Sequence, residues 1–216
     1  MFTGEFSNIN FRLSNIEVLY DFCNHCNQTQ KEFLSQFSKF NYHEYCISML
    51  FTYRDFPAGL AGLAWRGSAC SETLNTGFIT FLNNNLESEE KDNVITLAHE
   101  VGHLLGATHV DGTNCGERDD YIMSPTGTNH IYPVFSECSI EAIHKVLREK
   151  RFAGCFKEVP SGSRQDVGFC GNGILEGFEQ CDCGMHYEKC WDPCCFAGKL
   201  ISFTYTIIYI IWLKIF

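Results

Sequence analysis

Residues 99–109 read His99-Glu100-Val101-Gly102-His103-Leu104-Leu105-Gly106-Ala107-Thr108-His109. From Asp92 to Leu105 the apolar residues Val94, Ala98, Val101 and Leu105 recur at helical spacing, with Asp92 placed as an N-cap. This predicts a helix over 92–105 that Gly106 stops. On that helix His99 and His103 lie about 40° apart around the axis, so both imidazoles can converge on one ion. Gly106 lets the chain leave sharply, which allows His109 to return as a third nitrogen ligand. Three neutral imidazoles on Zn²⁺ leave a fourth position for water, the arrangement of a catalytic rather than a structural zinc. Glu100 projects about 60° from His103 and can reach that water without joining the ligands, the position of a general base. The reaction implied is hydrolysis of a peptide bond, with Glu100 taking the water's proton and passing it to the leaving amine. The bland alternative is an amphipathic core helix that happens to carry histidines. It leaves the joint spacing of His99, Glu100, His103, Gly106 and His109 unexplained, whereas His25, His130 and His144 read as ordinary histidines.

Outward from this motif the elements alternate in type. Asn10–Leu19 alternates as a strand, Lys31–Phe40 repeats Phe and Leu near helical spacing, and Tyr45–Tyr53 is a near-continuous apolar run that suits a buried strand. Gly59–Trp65 and Gly77–Leu82 are two further short strands. Ser139–Phe152 reads as a helix with Ile140, Ile143, Val146 and Leu147 inward. Its late Lys145, Arg148, Lys150 and Arg151 suit the helix dipole better than they suit a phosphate site. Val159–Val167 holds Pro, Gly and Ser without periodicity and reads as a linker. The predicted class is therefore α/β: a mixed sheet with a zinc-binding helix, followed by a small cysteine-rich segment.

Composition limits what such a chain does. Its 216 residues, 45% hydrophobic and 19% charged, can bury a sizeable core. A net charge of −10 without a basic block argues against nucleic acid as a partner. Thirteen cysteines, six of them between Cys170 and Cys195, point to the oxidising side of a membrane. The sequon Asn27-Gln28-Thr29 agrees with an extracellular or cell-surface address, although residues 1–20 do not read as a signal peptide. Residues 200–216 are densely apolar around the single charge of Lys214. As a helix this tail sits at the short limit for crossing a bilayer, so membrane association is one reading; a degraded chain end is the other.

The motif HEVGHLLGATH matches the HExxHxxGxxH of the metzincin proteases, and Tyr121-Ile122-Met123 resembles their Met-turn. The stretches Phe51-Thr52-Tyr53-Arg54-Asp55-Phe56, Gly62-Leu63-Ala64-Trp65, Leu74-Asn75-Thr76-Gly77 and Phe135-Ser136-Glu137-Cys138-Ser139 resemble the adamalysin (ADAM) family. Their combination is most similar to its Kuzbanian, or alpha-secretase, branch. The resemblance implies a metalloprotease domain over residues 1–158, a linker over 159–169, the start of a disintegrin domain over 170–196, and a tail of open status over 197–216. It also implies a zinc endopeptidase that trims membrane-anchored proteins outside the cell, acting on extended peptide segments. Gly62–Trp65 would be the antiparallel edge strand that a substrate pairs with, and the turn from Met123 to Phe135 would wall the S1′ pocket.

The same resemblance implies disulfides Cys70–Cys155, Cys115–Cys138, Cys183–Cys190 and Cys181–Cys195. Asn172, Glu176, Glu179 and Asp182 are the Ca²⁺ ligands it suggests, against a plain disulfide-held surface. Cys23, Cys26, His43 and Cys46 leave a structural zinc, a disulfide or free thiols open. Two departures stand out. Val110 occupies the place directly after the third histidine where the family carries Asp, and the family's opening strand and helix, signal and prodomain have no counterpart in the sequence. The competing class is accordingly a metalloprotease-like or disintegrin-like binding protein that cuts nothing.

Overall fold

The computed structural model describes residues 11–19, 22, 29–116, 118, 120–128, 130, 133–150 and 208–215. The expected linker, the expected disintegrin-like segment with the disulfides and Ca²⁺ ligands the resemblance implies, and Cys23, Cys26 and Cys155 lie outside these residues. Among the described residues, seven strands and three α-helices follow in chain order: β1 (Phe11–Leu19), α1 (Gln30–Phe37), β2 (Ile47–Thr52), β3 (Gly62–Ala64), β4 (Thr76–Thr80), β5 (Leu82–Asn83), β6 (Leu86–Glu87), α2 (Glu90–Leu104), α3 (Glu137–Lys150) and β7 (Ile208–Ile215).

Five strands form one mixed sheet in the order β1-β7-β2-β4-β3. The pair β2 and β4 is parallel, and every other neighbouring pair is antiparallel. All six residues of β2 are buried, as the near-continuous apolar run predicts for a strand covered on both faces. Period-2 alternation then sorts its side chains: Ile47, Met49 and Phe51 join Ala98, Val101 and Leu104 of α2 on one face. Leu50, with Phe78 of β4, joins Phe33, Leu34 and Phe37 of α1 on the other. The sheet is thus a partition, with α1 behind it and α2 and Ile143 of α3 on the face that carries the histidines.

Helix boundaries follow local hydrogen bonding more closely than apolar periodicity. Thr29 and Glu32 close a reciprocal capping box at the start of α1. The helix ends at Phe37, short of the predicted Phe40, where the Ser38 hydroxyl donates to the Leu34 carbonyl at 2.8 Å and accepts the Trp65 indole N–H at 2.9 Å. Helix α2 begins at Glu90, two residues before the predicted start, so Asp92 is a first-turn acid rather than the cap. Its buried side includes Ile95, Ala98, Val101 and Leu104, while Val94 is half-buried. Helix α3 starts at Glu137 because the Ser136 hydroxyl accepts the Ser139 N–H at 3.1 Å, the bond an N-cap makes.

Two elements escaped the periodicity. β5 and β6 form a hairpin around Asn84 and Asn85, both at positive φ (52° and 61°), the backbone of a tight two-residue turn. The Asp55 carboxylate accepts both of their N–H groups at 3.0 and 2.8 Å. The apolar tail supplies the other: Ile208–Ile215 is a strand seated between β1 and β2, antiparallel to both. Ladder bonds to β1 and β2 satisfy its backbone there, in place of the intrasegment bonds of the helix that the sequence alone allows. Among the described residues no helix is long and apolar enough to cross a membrane.

Candidate metal centre and active site

Helix α2 carries His99 and His103 through its last turns, and Gly106 supplies the exit. Its φ of +106° is glycine territory, and a Cβ there would stand 2.5 Å from Cγ2 of Val146 on α3. The chain therefore doubles back close to α3 and returns His109 to the helix. The Nε2 atom of His109 lies 3.1 Å from Nε2 of His99 and 3.2 Å from Nε2 of His103. Ligand nitrogens held about 2.0–2.1 Å from a tetrahedral zinc are roughly 3.3 Å from one another, so the three atoms are spaced to share one ion.

The other ring nitrogens are committed elsewhere. Nδ1 of His99 donates to the Ile122 carbonyl at 2.7 Å, and Nδ1 of His103 donates to the Ala107 carbonyl at 2.9 Å. A proton fixed at Nδ1 leaves Nε2 with a free lone pair, so the backbone selects the tautomer a metal needs. Burial keeps these rings neutral. It is the main cause pushing His99 down to about 3, with the His103 and His109 rings adding to it and the bond to Ile122 opposing it. Burial likewise lowers His103. Lone pairs crowded at 3.1–3.2 Å repel unless a cation sits among them, and this donor set fits Zn²⁺. Among the described residues these three are the one cluster of His, Cys, Asp or Glu able to hold a metal.

Glu100 is the buried acid of the site. Its Oε2 has no hydrogen-bond partner and only 4% of the residue is exposed. Burial without a compensating cation pushes its carboxyl up to about 8. The space it occupies exists because residue 62 is glycine. A Cβ on Gly62 would stand 2.7 Å from Oε1 of Glu100.

The Tyr121–Met123 segment underlies the histidines, as its likeness to a Met-turn predicts. Met123 is fully buried, and its carbonyl accepts the Val110 N–H at 3.1 Å. The Ile122 N–H bonds to the Val134 carbonyl at 2.8 Å, which fixes the carbonyl that holds His99. A disulfide between Cys115 and Cys138, the pairing the resemblance implied, closes this segment against α3. Cys70 is also disulfide-bonded. Val110 is buried in the core cluster rather than polar, so the departure after His109 fills an apolar space.

A family model of the M12B reprolysin-like metallopeptidases matches residues 7–149. The chain belongs to that family. Disintegrin and metalloproteinase domain-containing protein 10 of Homo sapiens is 38% identical over 199 residues, covering 78% of this chain and 26% of the relative. Its homolog in Caenorhabditis elegans is 31% identical over 211 residues, covering 76% of this chain and 22% of the relative. Zinc metalloprotease mde10 of Schizosaccharomyces pombe is 31% identical over 178 residues, covering 73% and 34%. The chain spans about a quarter of the length of the first of these. This reprolysin-like chain thus joins a zinc-peptidase family to a three-histidine group suited to that metal.

Sequence reasoning missed the residues that act by being small or by their backbone. A Cβ at Gly102 would meet Sδ of Met123 at 2.7 Å and Cε1 of Phe135 at 3.0 Å, so this glycine sets the distance between α2 and the segment beneath it. The carbonyls of Ile122 and Ala107 carry no sequence signal, since every residue has one.

Proposed function

We propose that this reprolysin-like chain is a zinc-dependent endopeptidase that cuts extended peptide segments, with His99, His103 and His109 as metal ligands and Glu100 as general base. The observation that supports it best is the pairing of three Nε2 atoms spaced for one ion with a buried carboxyl whose Oε2 has no other partner. When bound, zinc supplies an acidified water and a Lewis acid for the scissile carbonyl. The chain's own residues supply the rest. The carbonyls of Ile122 and Ala107 orient the histidines, Oε2 of Glu100 receives a proton from water and returns it to the departing amine, and the apolar surround keeps that proton from bulk solvent.

The substrate reading rests on β3. It is the end strand of the sheet, so its outer backbone groups are available to an extended peptide, which would pair with them by strand addition. The disulfides at Cys115 and Cys70 support an extracellular or cell-surface address. The resemblance to the alpha-secretase branch makes the stalks of membrane-anchored proteins the proposed substrates. The test is cleavage of a quenched fluorescent peptide library by the oxidised, zinc-loaded chain beside its Glu100→Gln variant. Cleavage that disappears in the variant with zinc still bound supports the reading. A folded, zinc-loaded parent that cuts nothing refutes it and leaves the binding-protein class.

A further inference from the structure

Strand β3 is tied to the active site at both ends. At its start Gly62 lies against the Glu100 carboxyl, where a Cβ would stand 2.7 Å from Oε1. Just past its end the chain turns at Arg66 and Gly67, the latter at φ +64°, and the Gly67 N–H bonds to the His103 carbonyl at 2.8 Å. Ser68 tightens that corner by donating its hydroxyl to the Trp65 carbonyl at 2.6 Å. Arg66 stands on the corner with its side chain exposed, and its charge is felt at His103. The charge is an unusual one to find beside the cleft of a chain with 26 acidic and only 16 basic residues.

These two anchors give the cleft a direction. A peptide added to the free edge of β3 pairs most favourably in the antiparallel sense. Its scissile bond must lie beside Glu100, hence level with Gly62, so the residues that precede the bond run past Ala64 toward Arg66. Four residues at about 3.3 Å each place Arg66 roughly 13 Å from the bond on that side. We propose that Arg66 is a specificity-determining residue that selects peptides with an acidic side chain about four residues before the bond that is cut. The inference rests on the endopeptidase reading and adds to it a substrate class, acidic on the N-terminal side of the cut. A guanidinium at an exposed corner favours a carboxylate by up to about fivefold, and reversing its charge changes the preference by about tenfold at low salt.

The test uses the zinc-loaded full chain and quenched peptides of one sequence carrying Glu, Gln or Lys four residues before the cut, or Glu four residues after it. Cut sites are fixed by mass spectrometry. Expected is a kcat/KM three- to fivefold higher for Glu than for Gln before the cut, carried mainly by KM and shrinking in 0.5 M salt. The Glu to Lys ratio should flatten in Arg66→Ala and invert in Arg66→Glu. A parent whose ratio equals that of Arg66→Ala, or that prefers Glu after the cut, overturns the inference while leaving the endopeptidase reading intact. If no peptide is cut by the folded parent, both fall together.

Discussion

Replacing Gly102 with alanine tests how the site is held rather than which residues it contains. The added Cβ would stand 2.7 Å from Sδ of Met123 and 3.0 Å from the Phe135 ring. A comfortable contact needs about 3.5–4.0 Å, so the Met123 side chain must retreat by roughly 1 Å in a fully buried position. Overpacking of this kind costs about 1–3 kcal/mol. Met123 is adjacent to Ile122, whose carbonyl holds Nδ1 of His99 at 2.7 Å, so the displacement passes directly into the orientation of a proposed metal ligand. Loss of such a supporting bond weakens metal affinity by about 10- to 100-fold. Gly102→Ala should therefore bind zinc at least tenfold more weakly in competition with a chromophoric chelator. Because Met123→Ala removes the clashing sulfur, the double variant Gly102→Ala, Met123→Ala should bind zinc more tightly than Gly102→Ala alone. An affinity unchanged in Gly102→Ala, or no recovery in the double variant while both fold, would refute the reasoning.

Two further outcomes follow from the described geometry. With zinc removed by a chelator, Glu100 is raised from 4.5 to about 8 by burial, so the folded chain holds a proton that the unfolded chain releases across that window. The contribution of Glu100 to stability should fall as pH rises from about 4.5 to about 8, opposite in sign to that of His99 and His103, whose rings burial lowers; the histidines are common to both proteins, so denaturant titrations should show Glu100→Gln gaining on the parent over that range and converging with it below. Replacing Trp212 with proline removes a backbone N–H from β7, a strand paired on both sides by β1 and β2. Soluble, zinc-binding yield should collapse, whereas Trp212→Phe should retain it; equal yields of the two variants would show that β7 does not support the sheet.

The convergence of the candidate histidines was legible because they fall within eleven consecutive residues whose spacing is set by one helix and one exit glycine. Geometry on a single rigid element needs no knowledge of the rest of the chain. The strands around it were legible where burial on both faces leaves an unbroken apolar run, as in β2. What escaped depends on partners distant in sequence. An apolar run such as 208–215 has no period that separates a helix from a strand, and only pairing with both β1 and β2 decides it. The glycines at 62 and 102 are ordinary until Glu100 and Met123 arrive beside them. The hairpin at Asn84-Asn85 did carry a local signal, since adjacent asparagines tolerate positive φ, but its strands are two residues each and too short to alternate.

The order of the sheet also bears on how the chain reaches its native state. The histidines, the underlying turn and the strands β2, β4 and β3 all come from residues 47–123, so the metal centre can assemble from contacts of modest sequence separation. Strand β7 instead joins Phe11 to Ile215 and Ile47 to Leu213, and the ladder it makes with β1 spans nearly the whole chain. Pairings so remote carry the largest loop-closure entropy and form slowly. On that ordering the candidate metal centre should form before the sheet closes, which would leave the open side of β2 as the surface most exposed to misassociation while the last ladder is still unmade.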